Sequence, residues 1–269
     1  MKKRSFIALL AAIVLPFTAN AQEREDMGYF NHLSASYSLG TDGLVGFEVA
    51  SPIGNYVTAR MGYSFMPSFK AKVDIDYDYK GATNKAKMEG KLNMGDFKLL
   101  FDVHPFRKSS FKVVAGFYLG RENLLEAYTT EPLYAIGTAS WGGVGKIQIG
   151  TNPANMFGTD AEGNINARVR VNTFKPYLGI GFGRAIPKKL VSVSFDLGVQ
   201  FWGKPKVEVF DYNPPTAVTK TSEWVKLTKD DFEATASKKR DKDGYDALNI
   251  VEKLSVYPVL NLRVNFRCF

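Results

Sequence analysis

The feature that most limits the fold of this chain is an apolar residue at every second position, repeated in one segment after another. In residues 257–269, YPVLNLRVNFRCF, one parity is apolar and the other is mostly polar or charged. A period of two is typical of a β-strand whose two faces meet different surroundings. The apolar face could rest on a protein core or on lipid, so this stretch alone leaves both environments open.

The same alternation recurs in other segments, and their apolar positions share one property, which is that none of them is charged. These segments are 33–39, 45–49, 57–65, 97–103, 111–119, 178–182 and 191–201. The rim of a soluble core admits an occasional charge, whereas the middle of a bilayer disfavours Lys or Arg by about 2–4 kcal/mol. The pattern therefore favours lipid-facing strands. We expect Val199 and Phe201 to face lipid, and Asp196 and Gln200 to face the interior.

The loops between these segments are alternately short and long. Segments 51–55, 104–110 and 185–189 are short and rich in turn-forming residues, whereas 120–164 and about 210–250 are long. Short turns at one rim and long loops at the other are typical of outer-membrane barrels. The predicted fold class is all-β, a closed antiparallel transmembrane β-barrel. Its eight strands are expected near residues 29–39, 44–50, 55–67, 86–103, 110–120, 165–184, 190–210 and 254–269.

Two prolines leave a second strand count open. Pro176 and Pro205 lie inside predicted strands, where proline cannot donate a ladder hydrogen bond. If both prolines are in turns, the barrel has ten strands and the same parity.

The polar parity of the strands carries charges of both signs, with serines and glycines between them. An eight-stranded barrel has an interior just wide enough for side chains, and charges buried there need partners. We therefore predict a lumen charge network, which is the candidate site of this chain. Its expected members are Glu48, Arg60, Asp102, Lys112, Asp196, Arg263 and Arg267.

Two further segments are predicted to lie outside the barrel wall. Residues 69–91 alternate so regularly that they read as a solvated hairpin folded about 81–84, which would place Asp76 opposite Glu89 as a weak candidate cation site. Residues 227–254 lose the alternation and favour short helices before the last strand. Thr228 and Asp231 form a possible capping box there.

The first 21 residues read as a signal peptide, followed by a single domain over 22–269. A basic start, an apolar run and the small-residue site Ala19-Asn20-Ala21 predict export. Cys268 is the only cysteine, so no intrachain disulfide is expected. The net charge of +8 includes three charges in this leader and forms no basic stripe, which disfavours nucleic-acid binding.

Several short stretches resemble the small outer-membrane β-barrel proteins of Gram-negative bacteria, the OmpA/OmpW-like superfamily. They are KPYLGIGFG at 175–183, FDLGVQFWGKPKV at 195–207, FDVHPF at 101–106 and YPVLNLRVNF at 257–266. The resemblance covers Gly43 to Phe269 and implies fold and outer-membrane location, but no catalytic residue. In that family the last aromatic side chain faces lipid and is read by the barrel-assembly machinery. Here Phe269 lies on the polar parity, so recognition through Phe266 is an alternative.

The functional prediction is a non-enzymatic outer-membrane barrel with a structural, adhesive or apolar-solute conduit role. Its expected partners are outer-membrane lipid and lipopolysaccharide, and no cofactor is expected. The alternatives are a lipid-modifying enzyme and a small porin, and a soluble barrel-shaped carrier is a third. An enzyme acting on outer-leaflet lipid needs a base and a nucleophile near the outer rim. The two histidines, His32 and His104, are both expected near the opposite rim.

Overall fold

The computed structural model describes residues 27–67, 69–79, 82–106, 109–133, 146–149, 156–212, 222–232 and 242–269, with the backbone only in 76–79, 82–84 and 242–243. The predicted signal peptide lies outside these residues. Among the residues described, no helix is long and apolar enough to cross a membrane.

Eight antiparallel strands close into a barrel, which confirms the predicted fold class. The ring closes between the first and last strands, where Tyr37 is the partner of Val264. In ring order the strands are β1 (Ser34–Gly40), β16 (Val256–Arg267), β13 (Val191–Phe201), β12 (Phe174–Phe182), β7 (Phe111–Gly120), β6 (Gly95–Val103), β3 (Val57–Phe65) and β2 (Val45–Ile53).

The two faces of the barrel wall differ as the alternation predicts. Large apolar side chains from all eight strands are exposed on the outside, among them Leu39, Phe47, Met61, Phe97, Leu119, Leu178, Leu197 and Leu262. The inward residues are mostly buried and polar. On β13, Asp196 and Gln200 are buried, Phe201 is exposed and Val199 is half-buried.

A second sheet of six strands continues the barrel wall beyond one rim. Its order is β15 (Glu223–Lys226), β14 (Lys206–Asp211), β11 (Asn166–Arg170), β8 (Asn123–Thr129), β5 (Ala82–Leu92) and β4 (Phe69–Tyr79). We call it the upper sheet, and the rim from which it rises the upper rim. Five of its strands follow or precede barrel strands directly in the chain. A short pair, β9 (Lys146–Gln148) and β10 (Met156–Gly158), lies beside it.

The prediction of single long strands at 86–103, 165–184 and 190–210 is wrong, because each divides at the upper rim into a barrel strand and an upper strand. The break after β13 shows why. Gly203 has a positive φ of 72°, which lets the chain turn Trp202 inward over the mouth of the barrel. There Trp202 stacks on Tyr257 at a centroid distance of 4.2 Å and packs with Met94 and Val171.

The eight-stranded form of the barrel is observed, and the ten-stranded alternative is not. Pro176 stands inside β12 opposite Phe117 of β7. Pairing of β12 with its other neighbour, β13, begins only at Tyr177. The proline is therefore tolerated at the end of that ladder. Pro205 lies in the break between β13 and β14.

The segment before β16 forms a 3-10 helix, Lys229–Phe232, and one α-helix, α1 (Lys242–Lys253). Thr228 and Asp231 interact as the capping prediction requires, since the Asp231 carboxylate accepts hydrogen bonds from the Thr228 amide at 2.6 Å and hydroxyl at 3.0 Å. Leu248 of α1 packs with Phe232, Val209 and Phe157, so the helix covers one face of the upper sheet.

Candidate functional site

A cluster of buried charges fills the barrel, and Arg60 of β3 lies at its centre. The Arg60 guanidinium contacts three carboxylates, those of Glu48 at 2.8 Å, Asp102 at 2.7 Å and Asp196 at 3.0 Å. These acids come from β2, β6 and β13, so one side chain links strands on several sides of the ring. Arginine suits this position because its planar group offers five donors and remains charged when buried.

Three further cations complete what we call the lumen cluster. Lys112 contacts Asp102 at 2.7 Å and Asp196 at 2.9 Å. Arg263 contacts Glu48 at 3.2 Å and Asp196 at 2.8 Å. Lys98 contacts Glu48 at 2.8 Å and also Asp42 at 3.1 Å, from the turn between β1 and β2. The lumen cluster therefore joins four cations to four carboxylates and is electrically neutral.

All eight charged side chains of the lumen cluster are buried, with at most 4% exposed. Removing an ion from water costs several kcal/mol, and only close partners with good geometry offset that cost. Because every cation here touches at least two carboxylates, charge is balanced within the cluster as well as over the whole of it. The loss of one member would leave its partners as uncompensated buried charges.

Small residues make room for these long side chains. At Gly181 of β12 an added Cβ would lie 2.4 Å from a carboxylate oxygen of Asp196 and 2.7 Å from Cε of Lys112. At Gly62 of β3 it would lie 2.6 Å from Cγ of Glu48. At both positions the added Cβ would also meet a backbone oxygen of the neighbouring strand, that of Phe195 at 2.6 Å from Gly181 and that of Phe47 at 2.3 Å from Gly62, so a methyl group fits neither position unless its surroundings shift.

An uncharged group packs beside the lumen cluster inside the barrel. Leu100, Val114, Tyr118, Tyr177 and Val259 form this buried apolar group. Tyr118 contacts both groups, because its ring packs on Tyr177 at 5.5 Å while its hydroxyl donates to Asp42 at 3.1 Å. Nearer the upper rim, Lys175 binds Asp96 at 2.7 Å.

Both ends of the barrel are also filled. Trp202, Met94 and Val171 close the upper rim, and Met27, Ala50, Ala185 and Ile186 close the other rim. Behind the second group, a cavity of about 10 Å³ beside His104 and Arg184 has room for about one water molecule. Side chains of the described residues thus occupy the barrel at both rims and between them.

The structure brings six of the seven predicted lumen residues into the cluster, all except Arg267. That guanidinium lies at the rim away from the upper sheet, donating to the carbonyl of Lys188 at 3.2 Å and approaching Nδ1 of His32 at 3.2 Å. The prediction omitted Lys98 and Asp42. Lys98 lies on the inward parity of β6 with Asp102, so the alternation could have revealed it. Asp42 lies in a turn, where parity gives no signal.

The hairpin prediction was wrong in register, so the expected pairing of Asp76 with Glu89 does not occur. The two strands pair as far as Tyr79 with Ala82, so Asp76 is the strand partner of Lys85 while Glu89 is the partner of Lys72. The Asp76 side chain lies outside the part of the structure that is described. Where side chains are described, no group of three or more His, Cys, Asp or Glu residues is arranged to hold a metal ion.

Glu89 instead belongs to a small polar group on the upper sheet. The Lys70 ammonium donates to Glu89 at 2.8 Å, and the Tyr128 hydroxyl donates to the same carboxylate. These hydrogen bonds, that of Lys70 first, hold the pKa of Glu89 below its usual value.

Both histidines lie toward the rim that is opposite the upper sheet. His32 precedes β1 and approaches Arg267, as described above. His104 follows β6, is 3% exposed, and donates its backbone amide to the Tyr56 carbonyl at 2.8 Å.

The closed eight-strand β-barrel is the class that this geometry defines. Solved structures that are similar to the chain include the crystal structures of Acinetobacter baumannii CarO2 and CarO. For CarO2 the identity is 18%, the TM-score is 0.46, and the match covers 89% of this chain and 99% of that one. For CarO the identity is 18%, the TM-score is 0.43, and the coverage is 90% and 99%. No protein-family model and no curated protein sequence matches the chain. The resemblance to the OmpA/OmpW-like superfamily therefore stays a prediction.

Removing one carboxylate from the lumen cluster should destabilise the protein strongly. We expect Asp196→Ala to lower the free energy of unfolding by about 3–5 kcal/mol, because three buried cations lose a shared partner. The control is Glu131→Ala, which breaks an exposed pair with Lys87 and should cost under about 1 kcal/mol. Urea titration of tryptophan emission in phospholipid vesicles measures both. Equal losses in the two variants would contradict the stabilising role of the cluster.

A single methyl group inside the barrel should also be costly where it meets the cluster. Gly181→Ala is expected to lower the free energy of unfolding by about 1–3 kcal/mol through overpacking against Asp196 and Lys112. Gly90→Ala is the matched control in a strand of the upper sheet, since its Cβ would meet its nearest atoms at 3.8 Å. The same urea titration applies. If Gly181→Ala is as stable as Gly90→Ala, the interior is less tightly filled than described.

Proposed function

We propose that this chain is a non-enzymatic protein of the bacterial outer membrane, a lipid-embedded barrel with a closed lumen that carries the upper sheet outside the bilayer. The observation that carries the proposal is the combination of an apolar outer wall with a neutral, buried charge cluster inside it. A lipid-embedded barrel needs this arrangement, whereas a water-soluble barrel needs the reverse.

The outer wall argues against a soluble carrier. Exposed large apolar residues come from every barrel strand, and several of them, including Phe47, Leu178 and Leu262, are about half exposed. A soluble monomer rarely shows a continuous apolar surface larger than a few hundred Å². Lipid hydrocarbon is the environment that accepts such a surface around the full circumference.

The interior argues against a small porin. A porin needs a water-filled path lined by polar groups, but here the lumen cluster, Tyr118 with Tyr177, and Trp202 occupy the interior of the barrel. We infer a structural or adhesive role in which the barrel is the anchor and the upper sheet meets external partners. An apolar-solute conduit is less well supported, since it requires these buried side chains to move apart.

The proposal includes no enzymatic activity. A lipid-modifying enzyme needs a proton acceptor beside the outer leaflet, and His32 and His104 both belong to the rim opposite the upper sheet. Export through the predicted signal peptide and assembly through the last strand are parts of the same proposal.

Two positions on one strand test the lipid-facing wall. In a Cys268→Ser background, which removes the exposed native thiol, Leu197→Cys should react with a fluorescent label that brominated lipid then quenches. Ser194→Cys, buried beside Arg263, should resist labelling in the folded protein. Quenching at position 194 without quenching at position 197 would show that the parity of the wall is inverted.

Conductance tests the closed lumen. In planar bilayers the unmodified protein should give very small single-channel currents, because no continuous water path crosses the filled interior. Trp202→Ala removes the upper aromatic cover and leaves the lumen cluster, so it should stay equally silent. A large, steady conductance in the unmodified protein would overturn the closed barrel and favour the porin alternative.

A further inference from the structure

We propose that a cleft at the upper rim binds the phosphate group of an outer-leaflet glycolipid, with Lys91 and Arg121 as the ligands of the phosphate. This inference rests on the proposed membrane orientation and adds a specific lipid site to it. The cleft has a volume of about 440 Å³ and opens outward where β3, β6 and β7 end. It is lined by Tyr63, Phe65, Met66, Lys91, Leu92, Asn93, Met94 and Arg121.

The residues that line this cleft carry a net positive charge. Lys91 and Arg121 contribute two cations, and none of the lining residues is acidic. Arg121 is exposed and Lys91 is half-buried. The acid nearest to Lys91 in the strand register is Glu126, its partner on β8, which does not line the cleft.

Gly95 of β6 shapes the cleft. An added Cβ there would lie 2.8 Å from the Tyr63 hydroxyl oxygen and 3.8 Å from Nε of Arg121. Tyr63 and Arg121 thus come together over a position that has no side chain. Lysine and arginine bind phosphate oxygens through charge-assisted hydrogen bonds, arginine often through two at once.

The height of the cleft on the barrel points to a lipid as the source of the phosphate. Directly below it the outer wall is apolar, with Phe97 and Leu119 exposed. Above it the outward positions of β5 include the exposed cations Lys85 and Lys87. Aromatic residues next to cations, at the boundary between an apolar band and a charged surface, are typical of the headgroup level of a bilayer.

A second open cleft at the same rim is a poorer candidate. It is lined in part by Glu122, Arg170, Lys204 and Lys206. There the Arg170 guanidinium already contacts Glu122 at 2.6 Å and Glu208 at 3.2 Å, so an incoming phosphate would compete with two carboxylates.

The test uses the full chain in detergent, with diphosphorylated lipid A as the probe and native mass spectrometry as the readout. We expect the double variant Lys91→Gln, Arg121→Gln to bind the probe about tenfold more weakly, since each cation near a phosphate surface contributes of the order of a few-fold in affinity. The control is Lys85→Gln, Lys87→Gln, which removes the same charge from the same sheet farther from the apolar wall. It should change binding by less than about twofold.

Two further probes identify the source of the phosphate, and a single variant serves if the double variant does not fold. Dephosphorylated lipid A should bind weakly to every variant, and excess inorganic phosphate should not displace the bound lipid. Arg121→Gln alone, with a loss of about threefold, keeps the test available if the double variant does not fold. Equal losses in the cleft and control variants, or displacement by inorganic phosphate, would overturn the proposal. Quenching of the label at position 197 by brominated lipid reports the membrane orientation separately, so a failure of this site is distinguishable from a failure of the proposed function.

Discussion

A ring of eight strands encloses a space about as wide as the side chains that point into it, and the rest of this barrel depends on that limit. So narrow a space leaves little water to hydrate a charge, so each inward charge must meet an opposite one directly. Arg60 satisfies three carboxylates at once, and glycines such as Gly181 stand where these long side chains need space. Neutrality, packing and the closed lumen are therefore results of one geometric constraint.

The same constraint explains why the inward-facing residues change from charged to apolar at the upper rim. Along β5 and β6 one parity stays on the inner side throughout, yet Leu92 on that parity is apolar whereas Asp96 and Lys98 are charged. Above the rim the inner side packs on loops and on α1, so it is apolar, and the outer side meets water, so it is charged. The breaks between the barrel strands and the strands of the upper sheet separate the part of the chain with a charged inner side from the part with an apolar inner side.

Much of the barrel could be predicted from the sequence because a period of two reports which face of a strand is apolar. That signal placed Glu48, Arg60 and Asp196 on the inward face before their contacts were known. It fails where no alternation exists, as for Asp42 in a turn. It also fails for register, because alternation shows which face a residue is on but not which residue of the next strand is its partner, as the pairing of Asp76 with Lys85 shows. The breaks that make the upper sheet escaped prediction because both halves of each segment keep a strand-like pattern.

The pairing of Glu48 with Arg263 has a kinetic consequence. These residues lie 215 positions apart, on the second and the last barrel strands, and their side chains meet only when the last strand joins the first. Until then Glu48, Asp196 and Arg263 cannot all have their partners, so an unclosed ring leaves some of these charges uncompensated. Contacts between residues so far apart in the chain also carry a large loop-closure cost. We therefore expect the joining of the last strand to the first to be a slow step of folding, and the charge cluster to favour the closed ring over partly closed ones.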